Sequence, residues 1–250
     1  MAGFRAYFDF SQNTDTQVGS LITLSQDESR HLCGSLRAKS GESVDIFDLN
    51  GNFRHCEIID ANQKRTQLKI IEKISVAPRS RDIYIAQCLP KGKTFDDIIR
   101  QSVEIGASGI FPLMSDRSQV KIDETEKSKK LDKWNIQVIE AIKQSANFFN
   151  FQIAMPNSLQ NFLKTSTDMF DLKIVASLQD GTQPLMKILQ DNPNAKKICI
   201  LIGPEGDLSP TEYDLANSSK FLPATLGKNV MKSETASLFS LSVAVAYFNV

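Results

Sequence analysis

Residues Lys197 to Leu215 read KICILIGPEGDLSPTEYDL, and the rest of the chain is read outward from them. Ile198, Cys199, Ile200, Leu201 and Ile202 form an unbroken apolar run, closed by glycine and proline. A run this short and this rich in β-branched residues is a strand buried on both faces. Gly203-Pro204-Glu205-Gly206-Asp207 then turns the chain. Ser209 follows as a helix N-cap, with Pro210 at the first helical position and Glu212 three residues beyond the serine, the pattern of a capping box. A buried strand therefore delivers a two-glycine loop to the carboxyl edge of a sheet, where α/β folds hold their ligands. A sharp strand-to-helix turn with no ligand has the same pattern, because short glycine motifs are weak evidence alone.

The chain has 250 residues, 41% of them hydrophobic, which is room for one large or two modest domains with a real core. Lys+Arg and Asp+Glu both number 29. That balance excludes an evenly basic nucleic-acid binder and leaves room for a local basic face. No apolar run approaches the roughly 18 residues of a membrane span, and MAGFRAYFDFSQN lacks a signal-peptide core. No membrane partner is expected. Cys33, Cys56, Cys88 and Cys199 are far apart and form no CxxC pair, which fits a reduced cytoplasmic protein with buried thiols. His31 and His55 are the only histidines, neither with a partner at ligand spacing, so no metal site is expected.

Residues 1 to about 75 read as β structure. Strands are expected over Phe4–Phe10, Val18–Leu24, Glu42–Leu49, Phe53–Ile59 and Gln67–Ile74, with helical character over Asp27–Ser35 and a hairpin turn at Asn50-Gly51. Short strands at turn spacing suggest a small barrel. Ala77-Pro78 with Arg79-Ser80-Arg81 marks the boundary. From Asp82 strands and helices alternate, which implies a mostly parallel sheet. Strands are expected over Ile83–Leu89, Ile110–Met114, Phe151–Met155, Leu172–Leu178, Ile198–Ile202 and Phe221–Leu226. Thr94 is expected to cap a helix with Asp97 at the capping-box position, with Phe95, Ile98, Ile99, Ser102 and Val103 inward and Gly106 stopping it. Further helices are expected over Asp123–Phe149, Pro184–Gln190 and Glu234–Phe248. The last is apolar nearly all round and so should be buried.

Several motifs stand in a fixed order: His31-Leu32, Leu36-Arg37, KGKTFDDIIRQSVEIGASGIFPL (Lys91 to Leu113), Asp116-Arg117-Ser118, Gln144-Ser145, LIGPEG (Leu201 to Gly206), Leu226-Gly227 and Glu234-Thr235. Together they resemble the bacterial family of the SPOUT superfamily that methylates N3 of a uridine in 16S ribosomal RNA of the small subunit, over nearly the full chain. The resemblance implies a PUA-like, RNA-binding β-barrel over 1–75. It implies a SPOUT methyltransferase domain over 76–250, α/β with a mostly parallel sheet and a deep trefoil knot. Topology rules alone would have argued against a knot. It implies S-adenosylmethionine (SAM) as cofactor, 16S rRNA or the small ribosomal subunit as partner, and a homodimer with the final helix between subunits. Leu238, Leu241, Val245 and Phe248 suit that role, and equally an ordinary buried helix.

By the same resemblance three loops hold SAM, through Leu178, through Ile202, Gly203, Pro204, Glu205 and Gly206, and through Leu226, Gly227, Val230, Met231 and Thr235. Arg117 and Glu234 are the candidate catalytic residues. Arg37, Lys39, Lys91, Lys93, Arg117, Gln144 and Lys232 are the candidate RNA contacts. Methyl transfer from a sulfonium is an in-line displacement, and uridine N3 must lose its proton, so the site needs a proton acceptor or a cation favouring the anion. Each residue also has a plain reading: Arg117 as a surface ion pair with Asp116, Lys39 as solvated charge, Glu234 as a helix N-terminal carboxylate. The chain departs from the family pattern at Asp207, usually glycine, at Asn147, Asn229 and Lys232, usually arginine, and at Met231, usually leucine. Losing guanidinium forks weakens bidentate contacts to phosphate. Two other readings therefore stand beside the methyltransferase: a catalytically silent RNA-binding or ribosome-assembly protein that kept the fold, and an α/β enzyme using GPEG for a phosphate ligand at the helix N-terminus.

Overall fold

A computed structural model describes residues 3–12, 16–76, 78–165 and 167–249. Met1, Ala2 and Asn13 of the N-terminal reading and Ala77 of the boundary reading lie outside the described residues. The chain divides into two compact units, one of residues 1–78 with 142–150, the other of 79–141 with 151–250.

The first unit holds β1 (Phe4–Tyr7), β2 (Leu21–Thr23), the short helix α1 (Gln26–Ser29), β3 (Ser43–Phe47), β4 (Phe53–Asp60) and β5 (Gln67–Lys73). Among the described residues the ladder runs β1-β3-β4-β5-β2. The β1–β3 pair is parallel and the others are antiparallel. Alternate residues face one core: Val44 and Ile46 on β3, Cys56 and Ile58 on β4, Leu68 and Ile70 on β5. The β3–β4 hairpin closes where expected. The Asp48 carboxylate accepts from the amides of Asn50 and Asn52 at 2.8 and 2.9 Å, and Gly51 takes φ +84°. Two strands are shorter than the sequence suggests. β1 stops at Tyr7 because a 3-10 turn follows at Phe10–Gln12. β2 starts only at Leu21 because Gly19 at φ +94° and the Ser20 N–H to Gln17 carbonyl bond make a turn first. The expected helix at Asp27–Ser35 is α1 running into a π-turn, Arg30–Ser35.

The second unit begins with β6 (Asp82–Cys88), α2 (Thr94–Ile105) and β7 (Gly109–Met114), followed by the long helix α3 (Glu124–Ser145), whose last turn belongs to the first unit. Then come β8 (Gln152–Ile153), β9 (Asn157–Ser158), α4 (Leu159–Thr165), β10 (Leu172–Ala176), β11 (Gln183–Pro184) and α5 (Leu185–Asp191). β12 (Lys197–Ile202), α6 (Pro210–Ser218), β13 (Leu222–Thr225) and α7 (Ser233–Phe248) complete it. The sheet runs β11-β13-β10-β12-β6-β7-β8, with β9 also on β7, and every pair is parallel. β12 lies at its centre, buried from Ile198 to Ile202, as an apolar strand with both faces covered should be.

The local chemistry explains most boundaries. α2 buries Phe95, Ile98, Ile99, Ser102 and Val103, and Gly106 ends it in the left-handed region at φ +107°. Each of its large apolar side chains is worth roughly 1.5–3 kcal/mol of burial. Its cap differs from expectation: Thr94 is the first helical residue, and Lys93 holds the cap position without a side-chain bond. Gly92 at φ +66° turns the loop so that the Lys93 carbonyl accepts from Asp96 at 2.9 Å. α3 stops four residues short of Phe149, because Ala146 takes φ +57°. α4 was not foreseen, although Leu159, Phe162 and Leu163 have the spacing of a buried helical face and Ser158 caps Asn161 at 3.1 Å. Nor is α7 buried all round. Its inner face is Ala236, Ser237, Ser240, Leu241, Ala244 and Phe248, while Thr235, Phe239, Ser242 and Ala246 are exposed. Small inward residues, Ala236, Ser237, Ser240 and Ala244, let the helix lie close on β6 and β12, while Leu241 and Phe248 are its large inward side chains.

Candidate functional site

β13, β10 and β12 are neighbours in the sheet, so the loops leaving their carboxyl ends emerge side by side. They enclose a cleft of about 290 Å³. Ser177 and Leu178 form one wall, Ile202 to Glu205 with Asp207 the second, and the segment from Leu226 to Ser233 the third. Nine of the residues expected from sequence meet there: Leu178, Ile202, Gly203, Pro204, Glu205, Leu226, Gly227, Val230 and Met231, together with Lys232. Gly206 and Thr235 do not line it. Gly206 packs against Arg117, where an added Cβ would stand 3.5 Å from the Arg117 Cβ. Thr235 and Glu234 instead line a neighbouring groove with Thr94, Asp97, Arg100 and Phe239.

The capping box at the start of α6 is present as read. The Ser209 hydroxyl accepts from the Glu212 amide at 3.3 Å, and a Glu212 carboxylate oxygen accepts from the Ser209 amide at 2.9 Å. The other Glu212 oxygen accepts from the Asp116 amide at 2.8 Å, and Ser209 Oγ donates to Asp116 Oδ2 at 2.8 Å. These side chains occupy the helix N-terminus that a bound phosphate would need. The phosphate-enzyme reading loses its site.

The loops are tied from behind. Arg117 Nη1 donates to the carbonyls of Gly206 and Leu208 at 3.0 and 3.3 Å, so this arginine is a strap on the GPEGD turn rather than an ion-pair partner of Asp116. Gln87, fully buried, donates to Ser233 Oγ at 2.9 Å and accepts from Ser237 Oγ at 2.6 Å. Ser233 Oγ passes the chain on to the Gly203 carbonyl at 2.8 Å. A buried polar network with its members bonded fixes geometry, and here it locks the β12 loop to the start of α7. Sequence reading missed Gln87, because a polar residue inside an apolar strand has no periodic signal, and Ser233, because a serine at a helix start reads as an ordinary helix-terminal residue.

Asp207 takes φ +62°, the permissive backbone that a residue in place of glycine needs there. Its Oδ1 accepts from the Leu208 amide at 2.8 Å and from the Tyr213 hydroxyl at 2.7 Å. Burial above all, with a hydrogen bond to Asp207, pushes Tyr213 up to about 12, against an opposing hydrogen bond with Ser177. The protonated hydroxyl thus links the second wall to the first. Glu205 is exposed and accepts from the Lys91 amide at 3.2 Å. Lys91, Lys93 and Lys232 are exposed in this unit, and Arg37, Lys39 and Gln144 are exposed in the first. Among the described residues no group of histidine, cysteine, aspartate or glutamate side chains could hold a metal ion, and no helix is long and apolar enough to cross a membrane.

Known proteins resemble the chain over most of its length. The model of an RNA methyltransferase domain matches residues 77–245, and that of an RNA methyltransferase PUA domain matches residues 24–71. The chain is 28% identical over 248 residues to the ribosomal RNA small subunit methyltransferase E of Bacillus subtilis, covering 95% of each chain. It is 30% identical over 220 residues to ribosomal RNA small subunit methyltransferase E 2 of Borreliella burgdorferi, covering 87% of this chain and 86% of the relative. A methyltransferase from Legionella pneumophila, solved in complex with SAM, superposes with a TM-score of 0.86 at 28% identity over 98% of both chains. With a cleft walled by three loops of a parallel sheet and a family match over more than half its length, the chain belongs to the RNA methyltransferase family, together with the ribosomal RNA small subunit methyltransferase E proteins.

Proposed function

We propose that this chain is a SAM-dependent methyltransferase acting on N3 of a uridine in 16S rRNA of the small ribosomal subunit. The observation that carries the reading is the cleft where the three loops converge. Its volume of about 290 Å³ is near the lower end of the roughly 300–1,000 Å³ typical of small-molecule sites. The residues present fit SAM. Leu178, Ile202, Leu226, Val230 and Met231 offer apolar walls for an adenine, and Gly227, with nothing within 4 Å of an added Cβ, leaves the third wall open to close approach. The Legionella relative's bound SAM supports the same choice. SAM supplies an electrophilic methyl group on a sulfonium. The chain's own residues bind, orient and manage the proton. In this reading Arg117, exposed and with one nitrogen on the loop carbonyls, turns its remaining guanidinium edge to the uridine and favours the N3 anion. Glu234, half-buried in the first turn of α7 on the groove that adjoins the cleft, is the candidate proton acceptor.

Unit one is proposed as the PUA-like RNA-binding domain of residues 1–75, with Arg37 and Lys39 on phosphate, as most protein–nucleic acid hydrogen bonds are. Gln144, Lys91, Lys93 and Lys232 are proposed as further RNA contacts. The remainder, 76–250, is proposed to be a SPOUT domain with a trefoil knot. In support, the chain leaves β13 on one side of β10 and sets α7 down on β6 and β12 on the other, with Ser233 bonded to Gly203 on the way. A homodimer through α7 is proposed on the exposed Phe239 and half-buried Leu238 and Val245. Leu241 and Phe248, buried within the chain, are not available to it. The reduced cytoplasm suits the four free, buried thiols. Nucleoside mass spectrometry of small-subunit RNA, with and without the gene, tests the activity. Loss of 3-methyluridine is the expected result, and an unchanged profile favours the silent RNA-binding reading.

A further inference from the structure

The cleft carries an asymmetry of charge. Its ionisable side chains are Glu205, Asp207 and Lys232, two carboxylates against one ammonium. Glu205 and Lys232 are exposed, where solvent weakens their fields. Asp207 is half-buried and held. Both donors that fix it, the Leu208 amide at 2.8 Å and the Tyr213 hydroxyl at 2.7 Å, bond the same oxygen, Oδ1. Oδ2 has no hydrogen-bond partner among the described residues. A carboxylate clamped on one oxygen, in a residue that lines the cleft wall, is a negative charge held at a fixed place beside whatever enters.

SAM and its product S-adenosylhomocysteine differ by one methyl group and one unit of positive charge, on sulfur. Both carry the same ammonium, carboxylate, ribose and adenine. Apolar walls and backbone bonds therefore treat the two nearly alike, and only a charged group separates them strongly. We propose that Asp207 is a specificity-determining residue that favours the cationic cofactor over its neutral product, and that Tyr213 is the positioning residue that holds it to the task. The proposal rests on the SAM reading of the cleft. The consequence is relief from product inhibition: once the methyl group leaves, the attraction to Asp207 leaves with it. Coulomb attraction at an intermediate dielectric acts over the several-ångström distances of a cleft of about 290 Å³.

Isothermal titration of the full chain with SAM and with S-adenosylhomocysteine tests this. Asp207→Asn keeps the shape, tolerates positive φ and leaves an oxygen for both donors, so the fold is retained. A single charge at these distances and an intermediate dielectric is worth about tenfold in affinity. Asp207→Asn should weaken SAM by about that factor while S-adenosylhomocysteine changes less than twofold, and the wild-type preference should shrink with added salt. Tyr213→Phe should lower the ratio of the two affinities by a smaller factor. Equal losses for both ligands in Asp207→Asn, or no change in either, would overturn the proposal, and a wild-type ratio in Tyr213→Phe would overturn the positioning role. Failure of the wild-type chain to bind either ligand would instead sink the SAM reading itself.

Discussion

Arg117 shows how far a residue's role can be read from its type. A lone arginine after a strand signals a phosphate or an anion, and its neighbour Asp116 suggests an ion pair. The structure gives Arg117 to the carbonyls of Gly206 and Leu208, and Asp116 to Ser209. The difference arises because carbonyls at the end of a turn need donors, and a guanidinium can reach two at once. Arg117→Ala should therefore raise the Kd for SAM by about tenfold, the equivalent of one or two charge-assisted hydrogen bonds net of solvent, as titration calorimetry would measure. An arginine that served RNA alone would leave that Kd untouched. The two glycines of the turn were legible as a pair but not in their individual duties. Gly203 and Gly206 sit at ordinary backbone angles, where an added Cβ would stand in van der Waals contact with Leu208 and Arg117, and of the three site glycines Gly227 is the one at positive φ, +141°.

At the scale of elements, periodicity and caps carried most of the fold. β12, the capping box of α6, the inner face of α2 and its Gly106 stop all follow from spacing and residue chemistry. What spacing could not supply was pairing: two-residue strands such as β8 and β9 exist only because β7 is there to bond them. Gly109 marks that junction. An added Cβ would meet the Gln152 carbonyl at 2.5 Å and the Tyr84 ring at 3.2 Å. Both are fixed, so Gly109→Ala should destabilise the protein by about 1–3 kcal/mol, the cost of overpacking, visible in denaturant titration. α7 was misread as buried all round because composition cannot distinguish a core helix from one awaiting a partner chain. Phe239, 39% exposed beside Leu238 and Val243, is the place to test that. On the proposed homodimer through α7, the unsubstituted chain should scatter as a dimer and Phe239→Glu as a monomer, without loss of far-UV ellipticity.

For the molecule as a whole, three of the four cysteines set an upper limit on pH. Burial pushes the Cys56 thiol up to about 12 and drives those of Cys88 and Cys199 up as well. Each ionises near its ordinary value of 9.0 once unfolded. The unfolded chain then binds fewer protons than the folded one, so stability is complete below pH 9 and declines as pH rises toward 12. The slope is about 1.4 kcal/mol per pH unit for each thiol. Thermal melts across that window should show it, and Cys199→Ala should flatten it. A last consequence concerns where the protein can be cut. The first unit borrows residues 142–150 from far along the chain. Lys143 Nζ meets Glu28 at 2.6 Å with both side chains nearly enclosed, Arg5 bonds the Lys143 carbonyl at 2.7 Å, and Phe148 stacks edge-on against Phe53. A gene fragment ending at the proline-marked junction would encode an unfinished module, with Glu28 deprived of its ammonium partner and Phe53 of its ring contact. Expressed alone it should come out insoluble, and adding the nine-residue segment as a separate peptide should rescue it.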